Sequence, residues 1–149
     1  MITIRKANTS DFKKVQFLLH GAHLPSEDLP KDLSGFLVAY TGELLIGSVG
    51  IEPYMPLGLL RSLVVNREFR SQQIGRKLVQ RALHHAYQQG LRDIYLITEA
   101  TEGYFKHLGF ERIPRKNVPP PIQHTTQFSH YCPKEASVMH RVLQASDAL

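Results

Sequence analysis

The sequence has very little cysteine: Cys132 is the only one among its 149 residues. A single thiol excludes an intrachain disulfide and is typical of a chain that works in a reducing compartment. The sequence also lacks any apolar run long enough for a signal-peptide core or a membrane-spanning helix, at its first residues or later. We therefore expect a cytoplasmic protein without disulfides and without a membrane partner.

Two other patterns are missing. The eight histidines are scattered without the spacing of metal ligands, so we expect no metal. Basic and aromatic residues do not alternate in a compact run, so the net charge of +5 does not indicate a nucleic-acid partner. The basic excess instead suits a small polyanionic ligand.

The length and the hydrophobic content of 42% allow one substantial core but hardly two. No internal repeat is visible. We expect residues 1–149 to form a single α/β domain.

The most informative stretch runs from Leu59 to Gln89. It begins with an apolar run, interrupted only by Arg61 and Ser62, which predicts a buried strand. From Ile74 the apolar residues recur at helical spacing, and Gly90 is well placed to end that helix. A strand that leads through a short loop into a helix presents unpaired N–H groups at the positive end of the helix dipole, an arrangement that binds phosphate.

The loop before this helix carries suitable residues. Its sequence RSQQIG places Gly75 where a pyrophosphate can approach the backbone, and Arg70, Arg76 and Lys77 add positive charge. A single glycine is a weak phosphate signal, so an ordinary connection with a solvated basic face stays open as the alternative.

Polar residues around the predicted strands are candidates for chemistry. Residues 36–51 predict a hairpin, and Glu52 follows its second strand, which makes Glu52 our candidate general base or else a solvated turn residue. Because buried polar groups need partners, Arg61 is expected to meet either a substrate carboxylate or an internal salt bridge.

The rest of the pattern predicts further elements: a strand over 1–6, a helix capped by Thr9, a short helix from Ser26 to Gly35, a strand over 91–98, a helix over 99–109, a strand over 110–113, a proline-rich linker, a short helix after Pro121, and a strand over 136–143.

The segment LVVNREFRSQQIGRKLV resembles motif A of the GNAT superfamily of N-acetyltransferases, an apolar strand followed by R/Q-x-x-G-x-G/A and a helix. Arg70 takes the first position and Gly75 the last, whereas Gln73 replaces the first glycine. The resemblance covers nearly the whole chain. It implies an α/β fold with a mixed, mostly antiparallel sheet of six to seven strands, flanked by helices and splayed between the central strand and the following one.

The resemblance also implies acetyl-CoA as co-substrate. Loop amides would hold the pyrophosphate and the strand backbone would pair with pantetheine, which gives these cofactor residues: Leu63, Val64, Val65, Arg70, Ser71, Gln72, Gln73, Ile74, Gly75 and Arg76. If the Gln73 position needs a positive φ, the side chain carries a strain of about 1 kcal/mol and lowers the affinity.

Two positions depart from the family's catalytic pattern. Leu59 stands where many members have a glutamate base, which brings Glu52 forward. Phe105 replaces the tyrosine that often protonates the leaving thiolate, so the neighbouring Tyr104 is either a substitute acid or a structural aromatic. Water also suffices, because a thiol of this kind has a pKa of about 8.5.

The segments LPSEDL, GIEPY and IxxTxxFSxxCP are similar to the arsenic-resistance branch, which is itself similar to amino-acid N-acetyltransferases. The GNAT resemblance implies that the region between the first two helices overhangs the acceptor site, so Glu27 faces the acceptor amine or else is only a first-turn residue. Arg61 and Ser62, the polar residues of the central strand, are expected to contact the acceptor. Cys132 is a packed residue or an arsenic-binding thiol. The expected function is acetyl transfer to a small, carboxylate-bearing amine, by a monomer or homodimer; the alternative is a non-catalytic acyl-CoA sensor.

Overall fold

The computed structural model describes residues 1–131 and 133–148. The strands are β1 (Ile2–Lys6), β2 (Phe36–Thr41), β3 (Leu44–Tyr54), β4 (Leu57–Val65), β5 (Asp93–Thr98), β6 (Glu111–Ile113) and β7 (Ser137–Val142). The α-helices are α1 (Phe12–Gly21), α2 (Ile74–Gln88), α3 (Glu102–His107), α4 (Pro120–Gln123) and α5 (Thr126–Tyr131).

The strands form an open, seven-stranded sheet in the order β1-β2-β3-β4-β5-β7-β6. The sheet is mixed, because β4 and β5 pair in parallel while β1–β2, β2–β3, β5–β7 and β6–β7 pair antiparallel. The parallel pairing joins only Leu57–Leu59 to Asp93–Tyr95. The mostly antiparallel GNAT-type sheet expected from the sequence is thus confirmed.

The chain divides into two compact units. The first comprises residues 1–51 and 62–84. Its core packs α1 against β2 through a cluster that includes Val15, Leu19 and Val38, all with 0% exposure. On α2 the predicted apolar stripe is buried, and Arg81 donates from Nη1 to the Ile4 carbonyl of β1 at 3.2 Å.

The second unit comprises residues 52–61 and the chain from residue 85 onward. Its core is built around Leu59 and Tyr95, which face each other across β4 and β5, together with Ile122 from α4. Gly90 has a φ of +97° and ends α2, as the sequence predicted.

Two local predictions were wrong. Asn8, and not Thr9, caps the first helical turn, because its side chain accepts from Ser10 N–H while Asp11 accepts from the Asn8 amide. The predicted helix over 26–35 is a series of turns. Leu29 and Leu33 are four residues apart and both buried, which imitates a helix face. The left-handed backbone of Leu33 and Gly35 is incompatible with a helix that continues to Gly35.

Candidate active site

Three polar side chains meet in the second unit, where β3 ends and β4 begins. The Glu52 carboxylate accepts a hydrogen bond from the Tyr54 hydroxyl at 2.8 Å on Oε1, and one from Arg61 Nη1 at 2.7 Å on Oε2. Each carboxylate oxygen therefore has its own donor. We call Glu52, Tyr54 and Arg61 the Glu52 cluster.

The strand geometry explains why these residues meet. Glu52 and Tyr54 are two residues apart in β3, so their side chains project from the same face. A two-residue turn, Met55-Pro56, then leads into β4, which carries Arg61 on the next strand. The ring of Tyr54 packs against the apolar core of the second unit, and this packing fixes the phenol from its other end.

Exposure differs sharply within the Glu52 cluster. The Arg61 side chain is 1% exposed and that of Glu52 is 22% exposed. Of the two roles left open for Arg61, this geometry favours the internal salt bridge, because a buried guanidinium bound to Glu52 has little surface to offer an acceptor. Glu52 is the member that solvent or a substrate reaches.

Ser62 marks an irregularity in β4. Its φ is +59°, unusual for a residue other than glycine, and it directly follows a run of four buried residues, 58–61. In the first unit its carbonyl accepts a hydrogen bond of 2.8 Å from the hydroxyl of Ser48, which is fully buried. The strained residue is thus held by a backbone contact, and its suggested contact with the acceptor stays a prediction.

The predicted phosphate loop lies in the first unit. Residues Arg67–Gln72 form a 3-10 helix capped by Asn66, and α2 begins at Ile74. Ile74 is 1% exposed and anchors the helix start, whereas Arg70, Ser71, Gln72, Gln73 and Arg76 are exposed. The first-turn amides of α2 have no acceptor inside the helix, so the loop has the donors and the charge that a pyrophosphate needs.

Gln73 has the backbone conformation that the missing glycine would favour. Its φ is +58° and its ψ is +26°, in the left-handed region. Its carbonyl accepts from the Lys77 amide at 3.1 Å and so forms the first hydrogen bond of α2. The turn is therefore formed despite the side chain, at the cost of roughly 1 kcal/mol of backbone strain.

Just before the loop, Leu63, Val64 and Val65 complete β4. The Val65 carbonyl accepts from Arg70 Nε at 3.2 Å. Val64 is buried, and Leu63 and Val65 are partly exposed. The backbone that is expected to pair with pantetheine is therefore continuous with the phosphate loop.

Tyr104 and Phe105 lie on α3 and differ in exposure. Phe105 is 7% exposed and packs edge-to-face on Phe110, with ring centroids 5.8 Å apart. Tyr104 is 41% exposed and packs edge-to-face on Phe105 at 5.3 Å. Neither residue is part of the Glu52 cluster. The aromatic contact supports the structural role for Tyr104 and leaves its role as an acid a prediction.

Glu27 lies in the turns of the first unit and is exposed. The neighbouring residue Ser26 is buried, with 8% exposure, so the backbone next to Glu27 packs against the protein. Cys132 lies outside the described residues. Sequence reasoning missed Tyr54, although its i, i+2 spacing from Glu52 on a strand is a signal that could have identified it.

Within residues 1–131 and 133–148, no group of three metal-ligating side chains is close enough to hold an ion. Over the same residues, no helix has the length and apolar content needed to cross a membrane. His140 forms its contact with a carboxylate instead, at 2.8 Å from Asp93.

The family of this chain follows from a direct comparison. Residues 4–110 match the model of the Acetyltransferase (GNAT) family, and the chain belongs to that family.

Two curated relatives and one solved structure refine the comparison. An uncharacterised N-acetyltransferase of Chlorobaculum tepidum is 34% identical over 98 residues, which cover 64% of this chain and 62% of the relative. An amino-acid acetyltransferase of Photorhabdus laumondii is 27% identical over 117 residues, covering 72% of this chain but 26% of the relative. The chain thus matches less than two thirds of the length of either relative.

The structure of N-acetylglutamate synthase from Neisseria gonorrhoeae, in complex with coenzyme A and N-acetyl-glutamate, superposes with a TM-score of 0.84 at 17% identity. The match covers 97% of this chain and 35% of the synthase. At this identity the similarity establishes the fold alone.

Proposed function

We propose that this protein transfers the acetyl group of acetyl-CoA to the amine of a small, carboxylate-bearing acceptor. The observation that carries the proposal is the Glu52 cluster, a partly exposed carboxylate held at both oxygens on a GNAT fold. The relatives that act on or bind amino acids support the choice of acceptor.

Acetyl-CoA supplies the acetyl group as a thioester. The residues proposed to bind it are the loop amides from Ser71 to Arg76, with Arg70 and Arg76 contributing charge, and the backbone of Leu63 and Val65. The loop fits an anion because its cations are exposed and its turn is already formed at Gln73.

Glu52 is proposed as the base. As the amine nitrogen forms its bond to the acetyl carbon and the carbon–sulfur bond breaks, Glu52 accepts the amine proton directly or through one water. Each carboxylate oxygen has a lone pair beyond the one used by its donor, so an incoming donor can still be accommodated. Arg61 keeps the carboxylate in place, and solvent or Tyr104 protonates the departing thiolate.

The test measures thiol release from acetyl-CoA over a panel of amino acids, including acidic ones and their phosphinic and arsinic analogues. We expect Glu52→Gln to lower turnover by about a hundredfold or more while leaving acetyl-CoA binding by calorimetry unchanged. Glu43→Gln, at an exposed turn between β2 and β3, is the control and keeps full activity. Unchanged turnover in Glu52→Gln would remove Glu52 from the mechanism, and activity on the arsinic analogue alone would favour the arsenic-resistance branch.

The competing function is a non-catalytic acyl-CoA sensor. The strained Gln73 and the buried Phe105 are the observations in its favour, since both replace residues of the family pattern. Tight binding of acetyl-CoA without thiol release on any acceptor would support the sensor.

A further inference from the structure

Tyr54 is the member of the Glu52 cluster that has no assigned role. Its hydroxyl donates to Oε1 of Glu52 at 2.8 Å, while Arg61 Nη1 donates to Oε2. Its partly buried ring packs against the core cluster that contains Leu59 and Tyr95. The phenol thus connects the apolar core of the second unit to the carboxylate.

A carboxylate with one partner can rotate about its terminal torsion, because that torsion is broad and nearly two-fold. Arg61 Nη1 donates to Oε2 at 2.7 Å, and the Tyr54 hydroxyl adds a second donor on Oε1 at 2.8 Å. A donor on each oxygen restrains this rotation and keeps one lone pair of Glu52 pointing along a fixed direction. A general base works only when that lone pair lies within hydrogen-bond reach of the proton it takes.

We propose that Tyr54 is a positioning residue for Glu52 and that its hydroxyl holds the carboxylate in the orientation that accepts the amine proton. This inference rests on the proposed function. The inference goes beyond the proposed function because it assigns a role to Tyr54. The effect of Tyr54 acts through Glu52 and disappears when Glu52 is not a base.

The chain contains a matched control. Tyr40 donates its hydroxyl to Asp11 at 2.6 Å, and Asp11 also pairs with Arg5, so the first unit holds a second cluster of tyrosine, carboxylate and arginine. Tyr40→Phe removes a hydrogen bond of the same kind from a residue with no proposed part in the reaction. Any loss common to Tyr40→Phe and Tyr54→Phe is therefore a loss of stability.

The experiment is a double-mutant cycle on acetyl transfer. We expect Tyr54→Phe to lower kcat roughly tenfold to a hundredfold, a part of what a general base contributes, with the KM for acetyl-CoA unchanged. In the Glu52→Gln background the same change should alter kcat by less than about twofold, because the two residues act as one unit. Tyr40→Phe should lower the melting temperature and leave kcat unchanged.

The outcomes separate the two proposals. Absence of acetyl transfer by the unmodified protein, or full turnover in Glu52→Gln, overturns the proposed function and this inference with it. Loss of turnover in Glu52→Gln together with full activity in Tyr54→Phe overturns the inference alone. Equal losses from Tyr54→Phe in both backgrounds also overturn it, since Tyr54 would then act independently of Glu52.

Discussion

Asp11 and Glu52 each accept hydrogen bonds from an arginine and a tyrosine but differ in exposure. Asp11 accepts from Arg5 and Tyr40, and Glu52 accepts from Arg61 and Tyr54. The Asp11 side chain is 2% exposed, against 22% for Glu52. A fully enclosed carboxylate stabilises the fold, whereas a partly exposed one can also receive a group from outside. Exposure therefore separates the structural cluster from the one proposed for chemistry.

Asp11, Arg5 and Tyr40, which we call the Asp11 cluster, make the stability of the fold depend on pH. Burial alone would raise the pKa of Asp11, but hydrogen bonds from Arg5, Tyr40 and the Asn8 amide outweigh it and lower the pKa to about 2 from its usual 3.8. A lowered pKa stabilises the folded protein above the unfolded value, and the gain is lost as the pH falls towards 2.

We therefore expect the free energy of unfolding of the unmodified protein to fall by roughly 2 kcal/mol more than that of Asp11→Asn between pH 5 and pH 2. The measurement is urea denaturation at several pH values. Parallel pH curves for the two proteins would show that Asp11 does not contribute in this way.

Gln73 and Arg61 show how far single residues could be predicted. The left-handed conformation at Gln73 meets the condition that the family pattern raised, because a position usually occupied by glycine often has a positive φ. For Arg61 the sequence left open a substrate carboxylate or an internal salt bridge, without naming Glu52 as the partner. Sequence spacing could not decide between them, since the pairing depends on how β3 and β4 align.

At the level of elements, β2 and β3 pack closely at Gly50. Phe36 and Gly50 face each other across the two strands, and a Cβ added to Gly50 would lie 2.5 Å from the ring of Phe36. Phe36 is 2% exposed and belongs to the core of the first unit, so the ring has little room to move.

We expect Gly50→Ala to lower the free energy of unfolding by about 1–3 kcal/mol, as overpacking does. Gly21→Ala is the control, because nothing lies within 4 Å of the added methyl at the end of α1, and alanine there should be neutral or stabilising by up to about 1 kcal/mol. Chemical denaturation measures both. Equal effects of the two substitutions would contradict the close packing at Phe36.

The long elements were predictable and the short ones were not. β4 and the apolar stripe of α2 have strong periodicity, and both were located correctly. In the segment from Ser26 to Gly35 only two leucines, Leu29 and Leu33, have helical spacing. Both are buried by tertiary packing while the backbone forms turns, so their spacing suggested a helix that is not there. The tail forms two helices, α4 and α5, where one was expected, because short segments contain too few residues to define a period.

At the level of the whole molecule, three elements belong to both compact units. β3, β4 and α2 each contribute residues to the first unit and to the second. We propose on this ground that residues 1–149 act as one domain, because unfolding either unit would interrupt strands and a helix of the other.

We expect a single cooperative unfolding transition that coincides by far-ultraviolet circular dichroism and tyrosine fluorescence, as for a two-state domain. Tyrosines are present in both units, with Tyr40 in the first and Tyr95 in the second. Two separated transitions would contradict the single-domain proposal.

The two edges of the sheet affect how readily copies of this chain pair with one another at high protein concentration. β1 forms one edge, where Arg81 occupies the Ile4 carbonyl and Arg5 and Lys6 bring charge; β6 forms the other and is three residues long. Charged or very short edges offer an incoming strand few partners. Copies of this chain are thereby protected from joining edge to edge into fibrous aggregates.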